Sequence, residues 1–215
     1  MILAYDVTGD ATVISWRCQG GEKGELATRA PKATSALLPA IQRLLTEKDV
    51  LLERLAVIRG PGSFTGIRVG LATALGLRLS LNVPVFAFSK FELMAAQVGV
   101  RNGTLLLPAR GGDVFSAELR DGRVQAPHGP RPASDFSAAG NCYGVHPING
   151  LRLTSLRSDF TGICLDLLER GEPAERTRRL EPLYIRPPDA KINLTLLQKL
   201  RDAVPPGDDN QLPIC

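Results

Sequence analysis

Residues 55–89 read LAVIRGPGSFTGIRVGLATALGLRLSLNVPVFAFS. Two short, continuously apolar runs flank a glycine loop and a long apolar helix. Strands with so little polar alternation are buried on both faces, which is typical of a parallel pair joined by a crossover helix. LAVIRG (55–60) is therefore read as one strand, about 65–81 as the helix, and PVFAFS (84–89) as the next strand. Within the helix, Gly66, Gly70 and Ala74 lie four apart and share one face. Ile67, Leu71, Leu75 and Leu77 cover the other sides, so the helix is apolar nearly all round and needs cover on more than one side. A sheet can supply one cover. The other is either a second helix of the same lobe or another chain.

The preceding helix is the obvious neighbour. Leu37, Leu38, Ile41, Leu44 and Leu45 recur on one face, Thr34 or Ser35 can cap its start, and Pro39 falls early in it. Upstream, ILAYDV ends in the turn Thr8-Gly9-Asp10; ATVISWR, Gly20-Gly21 and ELATR follow. These form a three-stranded antiparallel meander. Ser89 with Glu92 makes a capping box for a third helix, FELMAAQV. The order β-β-β-α-β-α-β indicates an α/β domain in which a meander joins a parallel extension, as in ribonuclease-H-like and actin-like folds. Residues 1–100 form the first lobe and 101–215 a second, smaller one with a C-terminal tail. In the second, 104–109 and 113–124 read as strands, the latter turning at Asp121-Gly122. Residues 126–150 read mostly as loop, 160–170 as a helix ending at Gly171, 181–188 as a strand, and LTLLQKLRDA as a short tail helix. No internal repeat is visible.

The glycine loop supports two readings. Backbone N–H groups and the helix dipole at a helix start favour an anion. Gly60, Gly62, Ser63 and Thr65, with Asp6 and Thr8 on the first hairpin, are then the anion-binding set. Alternatively, the glycines permit a tight turn and Ser63 or Thr65 caps the helix. No Gly-Lys-Ser/Thr ends the loop, and no acid closes the next strand, so neither common nucleotide fingerprint is present.

Catalytic candidates are few. His128 and His146 lie in the Pro/Gly-rich stretch without metal-ligand spacing. Ser63 has no histidine base nearby in sequence, and Arg17 is the sole basic neighbour of Cys18. This argues against a peptidase. Asp6 before Thr8-Gly9 resembles the first phosphate hairpin of actin-like ATPases, but no second glycine-rich hairpin is recognisable between 104 and 124. Cys18, Cys142, Cys164 and Cys215 form no C-x-x-C pair and read as free thiols of a reducing compartment. The start lacks a signal-peptide pattern, Arg68 and Arg78 interrupt the apolar helix, and a cytoplasmic protein with no membrane partner is expected. A net charge of +4 is too mild to demand a nucleic-acid surface.

GPGSFTGIRVGLATALGLRLSLNVPVFAFSKFELMA closely resembles the TsaB (YeaZ) family. ILAYDVTGDATVISW, TSALLPAI and EPLYIRPPDAK resemble that family's opening hairpin, first helix and C-terminal strand. The resemblance covers most of 1–90 and returns at 181–191. It implies a two-lobed actin-like (ASKHA) fold without a metal or a complete nucleotide site. It also implies a non-catalytic partner of TsaD, acting with TsaE in threonylcarbamoyl transfer to the adenosine beside the tRNA anticodon. ATP with Mg is expected on TsaD, and tRNA only through the complex. On this resemblance the first two helices form the surface shared by the TsaD complex and a homodimer. That makes Leu37, Leu38, Ile41, Leu44, Leu45, Gly66, Ile67, Gly70, Leu71, Ala74 and Leu77 the partner-binding set. The chain departs from the family at Ala33-Thr34-Ser35, where His-Ser-Glu is usual, and at Pro108-Ala109-Arg110, where Asp-Ala-Arg is usual. A stand-alone actin-like ATPase or kinase, using Asp6 and the loop near Thr8, is the alternative.

Overall fold

The computed structural model describes residues 1–29, 33–171 and 180–185. Strands β1 (Ile2–Asp6), β2 (Ala11–Arg17) and β3 (Lys23–Arg29) form the antiparallel meander. Helix α1 (Ala33–Lys48), strand β4 (Arg54–Ile58), helix α2 (Phe64–Leu81) and strand β5 (Val85–Phe88) follow. β4 runs parallel to β1 and β5 parallel to β4, giving the order β3-β2-β1-β4-β5. Helix α3 (Lys90–Ala95) carries the expected capping box: Glu92 N–H donates to Ser89 Oγ, and Ser89 N–H to the Glu92 carboxylate.

The central strands are buried on both faces, and period two divides their side chains between two cores. Leu3, Tyr5, Leu55 and Val57 join α1 and α2 on one side of the sheet. Ile2, Ala4, Ala56 and Ile58 face a second core. This is why the runs show no polar alternation. α2 is, among the described residues, the one helix long and apolar enough to cross a bilayer, with mean hydropathy 1.2. It packs on β4 and β5 as a helix of the fold.

The second sheet contains β6 (Gly103–Pro108), β7 (Asp113–Arg120), β8 (Arg123–Val124), β9 (His128–Pro132), β10 (Cys142–Gly144) and β11 (Thr154–Ser155). Its order is β11-β10-β6-β7-β8, with β9 also pairing β7. An antiparallel β6–β7 pair extended by parallel β10 and β11 repeats the plan of the first sheet. Helix α4 (Phe160–Glu169) contributes to a core that also holds residues of both sheets. It packs against β1, β2 and β4 of the first sheet. Its Phe160, Ile163, Leu165 and Leu168 are buried, each contributing about 1.5–3 kcal/mol.

Four sequence expectations need correction. α1 begins at Ala33, so Thr34 and Ser35 lie inside its first turn and not ahead of it. The stretch 126–150 holds β9, a 3-10 turn at Ala133–Phe136 and the buried β10. Three-residue and proline-bearing strands carry too little periodicity to stand out in such a composition. Residues 181–185 form no strand, although Leu183 N–H donates to the Arg59 carbonyl at 2.9 Å. β4 stops at Ile58, ahead of Arg59 and Gly60. Residues 186–188, the tail helix LTLLQKLRDA and Cys215 lie outside the described residues.

Candidate functional site

The glycine loop is packed against the chain's own backbone. A Cβ on Gly62 would stand 2.3 Å from the Thr8 carbonyl oxygen, and one on Gly66 would stand 1.9 Å from that of Val7. Ser63 N–H donates to the Thr8 carbonyl at 2.7 Å. Ser63 is the cap of α2: its Oγ accepts from Gly66 N–H. Thr65 is exposed. Gly60 has φ +119°, and its added Cβ would meet the Leu183 carbonyl at 2.8 Å. These glycines are therefore explained by close backbone approach and, at Gly60, by backbone conformation. The turn after β1 fills the space in front of Gly62 and Gly66.

Asp6 is committed internally as well. Its Oδ1 accepts from Thr8 N–H at 2.7 Å and Thr8 Oγ1–H at 2.6 Å. Its Oδ2 pairs with Lys90 Nζ at 3.3 Å, and both side chains are only 14% exposed. Lys90 also stands over the Phe160 ring, 5.5 Å from its centroid. Sequence reasoning missed Lys90: the pair spans 84 positions, and only the fold joins the start of α3 to the end of β1. Lys90 thus already occupies the Asp6 oxygen that Thr8 leaves free. Among the described residues no group of three or more His, Cys, Asp or Glu could hold a metal. A second glycine hairpin does exist, contrary to the sequence reading. Gly111 and Gly112 (φ +75° and +85°) turn β6 into β7, just after the divergent Pro108-Ala109-Arg110.

Other reactive groups are scattered. His128 and His146 are exposed on separate segments. Burial pushes the Cys142 thiol up and the Cys164 thiol well up, the latter reinforced by Asp6, Asp159 and Glu92, so neither is a ready nucleophile.

The two helices present a different feature. The small-residue face of α2 meets the chain's own sheet. Tyr5 donates its hydroxyl to the Gly70 carbonyl at 2.7 Å, and a Cβ on Gly70 would stand 2.8 Å from Val7 Cγ2. Burial pushes the Tyr5 hydroxyl pKa far up. Gly66, Ile67, Gly70, Leu71, Ala74 and Leu77 are buried in this way, as are Leu37, Ile41 and Leu44 on α1. Leu45 is half-buried, and Leu38 is 42% exposed. The open face of α2 is instead Arg68, Ala72, Leu75, Gly76 and Leu79. Leu75, Leu79 and Leu81 are 46%, 76% and 48% exposed. Within the partner-binding set chosen from sequence, Leu38 is the fully open leucine. Leu75, Leu79 and Leu81 lie outside that set. The periodicity itself marks the stripe, once the glycine face is known to point inward.

The family model TsaD, tRNA N6-adenosine threonylcarbamoyltransferase, matches residues 19–127, which include both helices and the loop. The tRNA threonylcarbamoyladenosine biosynthesis protein TsaB of Escherichia coli (strain K12) is 32% identical over 126 residues, covering 55% of this chain and 54% of that protein. Its counterpart in Buchnera aphidicola subsp. Baizongia pistaciae (strain Bp) is 44% identical over 101 residues, 45% and 46% of the two chains. The chain belongs to this family, in its TsaB (YeaZ) branch. It spans about half the length of these two TsaB relatives. YeaZ from Pseudomonas aeruginosa shares the fold, with TM-score 0.59 at 23% identity over 85% of this chain and 99% of that one. The TsaB-family chain thus has a two-sheet α/β fold shared with YeaZ, with a lysine on its first-hairpin aspartate and an open leucine stripe on α2.

Proposed function

We propose that this TsaB-family chain is a non-catalytic partner subunit that binds and supports TsaD in the threonylcarbamoyladenosine modification of tRNA next to the anticodon. The observation that carries the reading is the open stripe Leu75–Leu79 on α2, together with the exposed Leu38 of α1. Adjacent exposed leucines on a helix face are what an interface with another chain buries. The pairing of Asp6 with Lys90 supports placing ATP with Mg on TsaD and not on this chain. TsaE joins that complex, tRNA is reached only through it, and a homodimer of this chain uses the same stripe. The setting is the cytoplasm.

The test is light scattering on a sizing column, with the chain alone and mixed with the TsaD subunit of the same organism. A dimer that converts to a heterodimer is expected. Leu75→Asp should abolish the heterodimer, because an unpaired charge would be buried at its centre. A native chain indifferent to TsaD, or an L75D chain that binds it normally, would overturn the reading. Saturable ATP binding by the isolated chain, lost in Asp6→Asn, would favour the ATPase alternative.

A further inference from the structure

The stripe on α2 does not end at Arg68. Phe64, one turn earlier, carries the Arg68 guanidinium over its ring at 5.2 Å. Tyr184 lies against that ring as well, with centroids 4.7 Å apart and planes tilted by 31°. The segment 180–185 delivers this tyrosine. Leu183 N–H is bonded to the Arg59 carbonyl, and Leu180 and Ile185 pack against the two different cores. The segment is thus held at several points, while the Tyr184 side chain remains 41% exposed. Tyr184, Phe64 and Arg68 form one continuous cap at the head of the leucine stripe.

Charge on this surface is one-sided. α2 contains Arg68 and Arg78 and no acidic residue. Arg68 is exposed and makes no ion pair among the described residues. With one face of its guanidinium on Phe64, its N–H edges point to a carboxylate. A second copy would bring arginines from its own α2 and, from α1, only Glu47, which already pairs with Arg43, so a different protein with an acid at that position is the better complement.

We infer that Tyr184 and Arg68 belong to the partner-binding surface, and that the occupant is the heterologous protein partner, presenting a carboxylate to Arg68 beside apolar side chains. This rests on the partner-subunit reading. The C-terminal segment is then part of the interface, although Leu180 lies 99 positions beyond Leu81, the last residue of the helix it completes. Exposed Tyr and Arg side chains on a rigid base are the residue types that dominate interface energies.

The experiment measures dissociation constants of the full chain for the TsaD subunit of the same organism, at low and at physiological salt. Tyr184→Ala and Arg68→Gln should each weaken binding about tenfold or more. Arg68→Gln should also flatten the salt dependence, which a purely structural role would not do. Melting temperatures report whether the variants fold; Arg68, exposed and unpaired, guards against a Tyr184→Ala chain that does not. If both variants bind as the native chain does while Leu75→Asp fails, this inference is wrong and the partner reading stands. If Leu75→Asp binds as well, the helix assignment itself fails. If the variants weaken only the homodimer, the occupant is a second copy and the inference is overturned.

Discussion

Lys90 and Asp6 form a largely buried ion pair at the end of β1. Asp6 retains its place at the end of β1 and its bonds to Thr8, but Lys90 neutralises it from the start of α3. Lys90→Met should cost about 1–3 kcal/mol in urea unfolding, since the carboxylate stays largely buried after its partner is gone. A loss near zero would show that the pair is dispensable. Asp166 carries a pH effect. Burial raises its carboxyl, but hydrogen bonds from Arg17 and Arg157 outweigh that and hold it below the ordinary value. A depressed folded pKa contributes stability that is complete above the unfolded value of about 3.9 and is lost as pH falls through the folded one. The gap in Tm between the native chain and Asp166→Asn should therefore be open at pH 7 and close as the pH falls below the ordinary carboxylate range. A gap that persists in acid would mean the aspartate acts by packing.

At the scale of elements, α2 has two faces with opposite tolerances. Gly66→Ala places a methyl 1.9 Å from the Val7 carbonyl oxygen, and backbone must move to admit it. A loss of about 3 kcal/mol or more is expected in denaturant unfolding. Gly76 has open space around it on the exposed face. Gly76→Ala should stabilise the chain by about 0.5–1 kcal/mol, as helix propensity and unfolded-state entropy both favour alanine. Equal effects at the two sites would contradict the orientation of α2. That orientation was only half legible. The 66-70-74 spacing identifies a small-residue face, but such a face suits a close sheet as well as a close helix of another chain. The decisive contacts come from Tyr5 and Val7, some sixty positions away.

At the scale of the molecule, α4 is held to the first sheet, and its buried residues share one core with residues of β6 and β7. Ser15 Oγ and Thr161 Oγ1 are hydrogen-bonded at 2.8 Å in a buried position. Arg17 pairs with Asp166 and Glu169, and Arg54 donates to the Leu168 carbonyl. With one core drawn from both sheets, the two should unfold as one cooperative unit. Ile163→Ala should cost about 2–5 kcal/mol and raise hydrogen exchange in β1 and β6 together. Loosening confined to β6 and its neighbours would indicate two independent units.

The meander, the βαβ unit and the Ser89–Glu92 box were determined by sequence alone, because each rests on neighbours within a few turns or on strict periodicity. So was the family, through the long motif from Gly60 onward. The tertiary structure decided what that motif does. It set the glycines against residues 7 and 8, brought Lys90 to Asp6, turned the small face of α2 inward and left Leu75 and Leu79 open. Those outcomes depend on which backbones approach each other across the fold, and spacing along a chain carries no record of that.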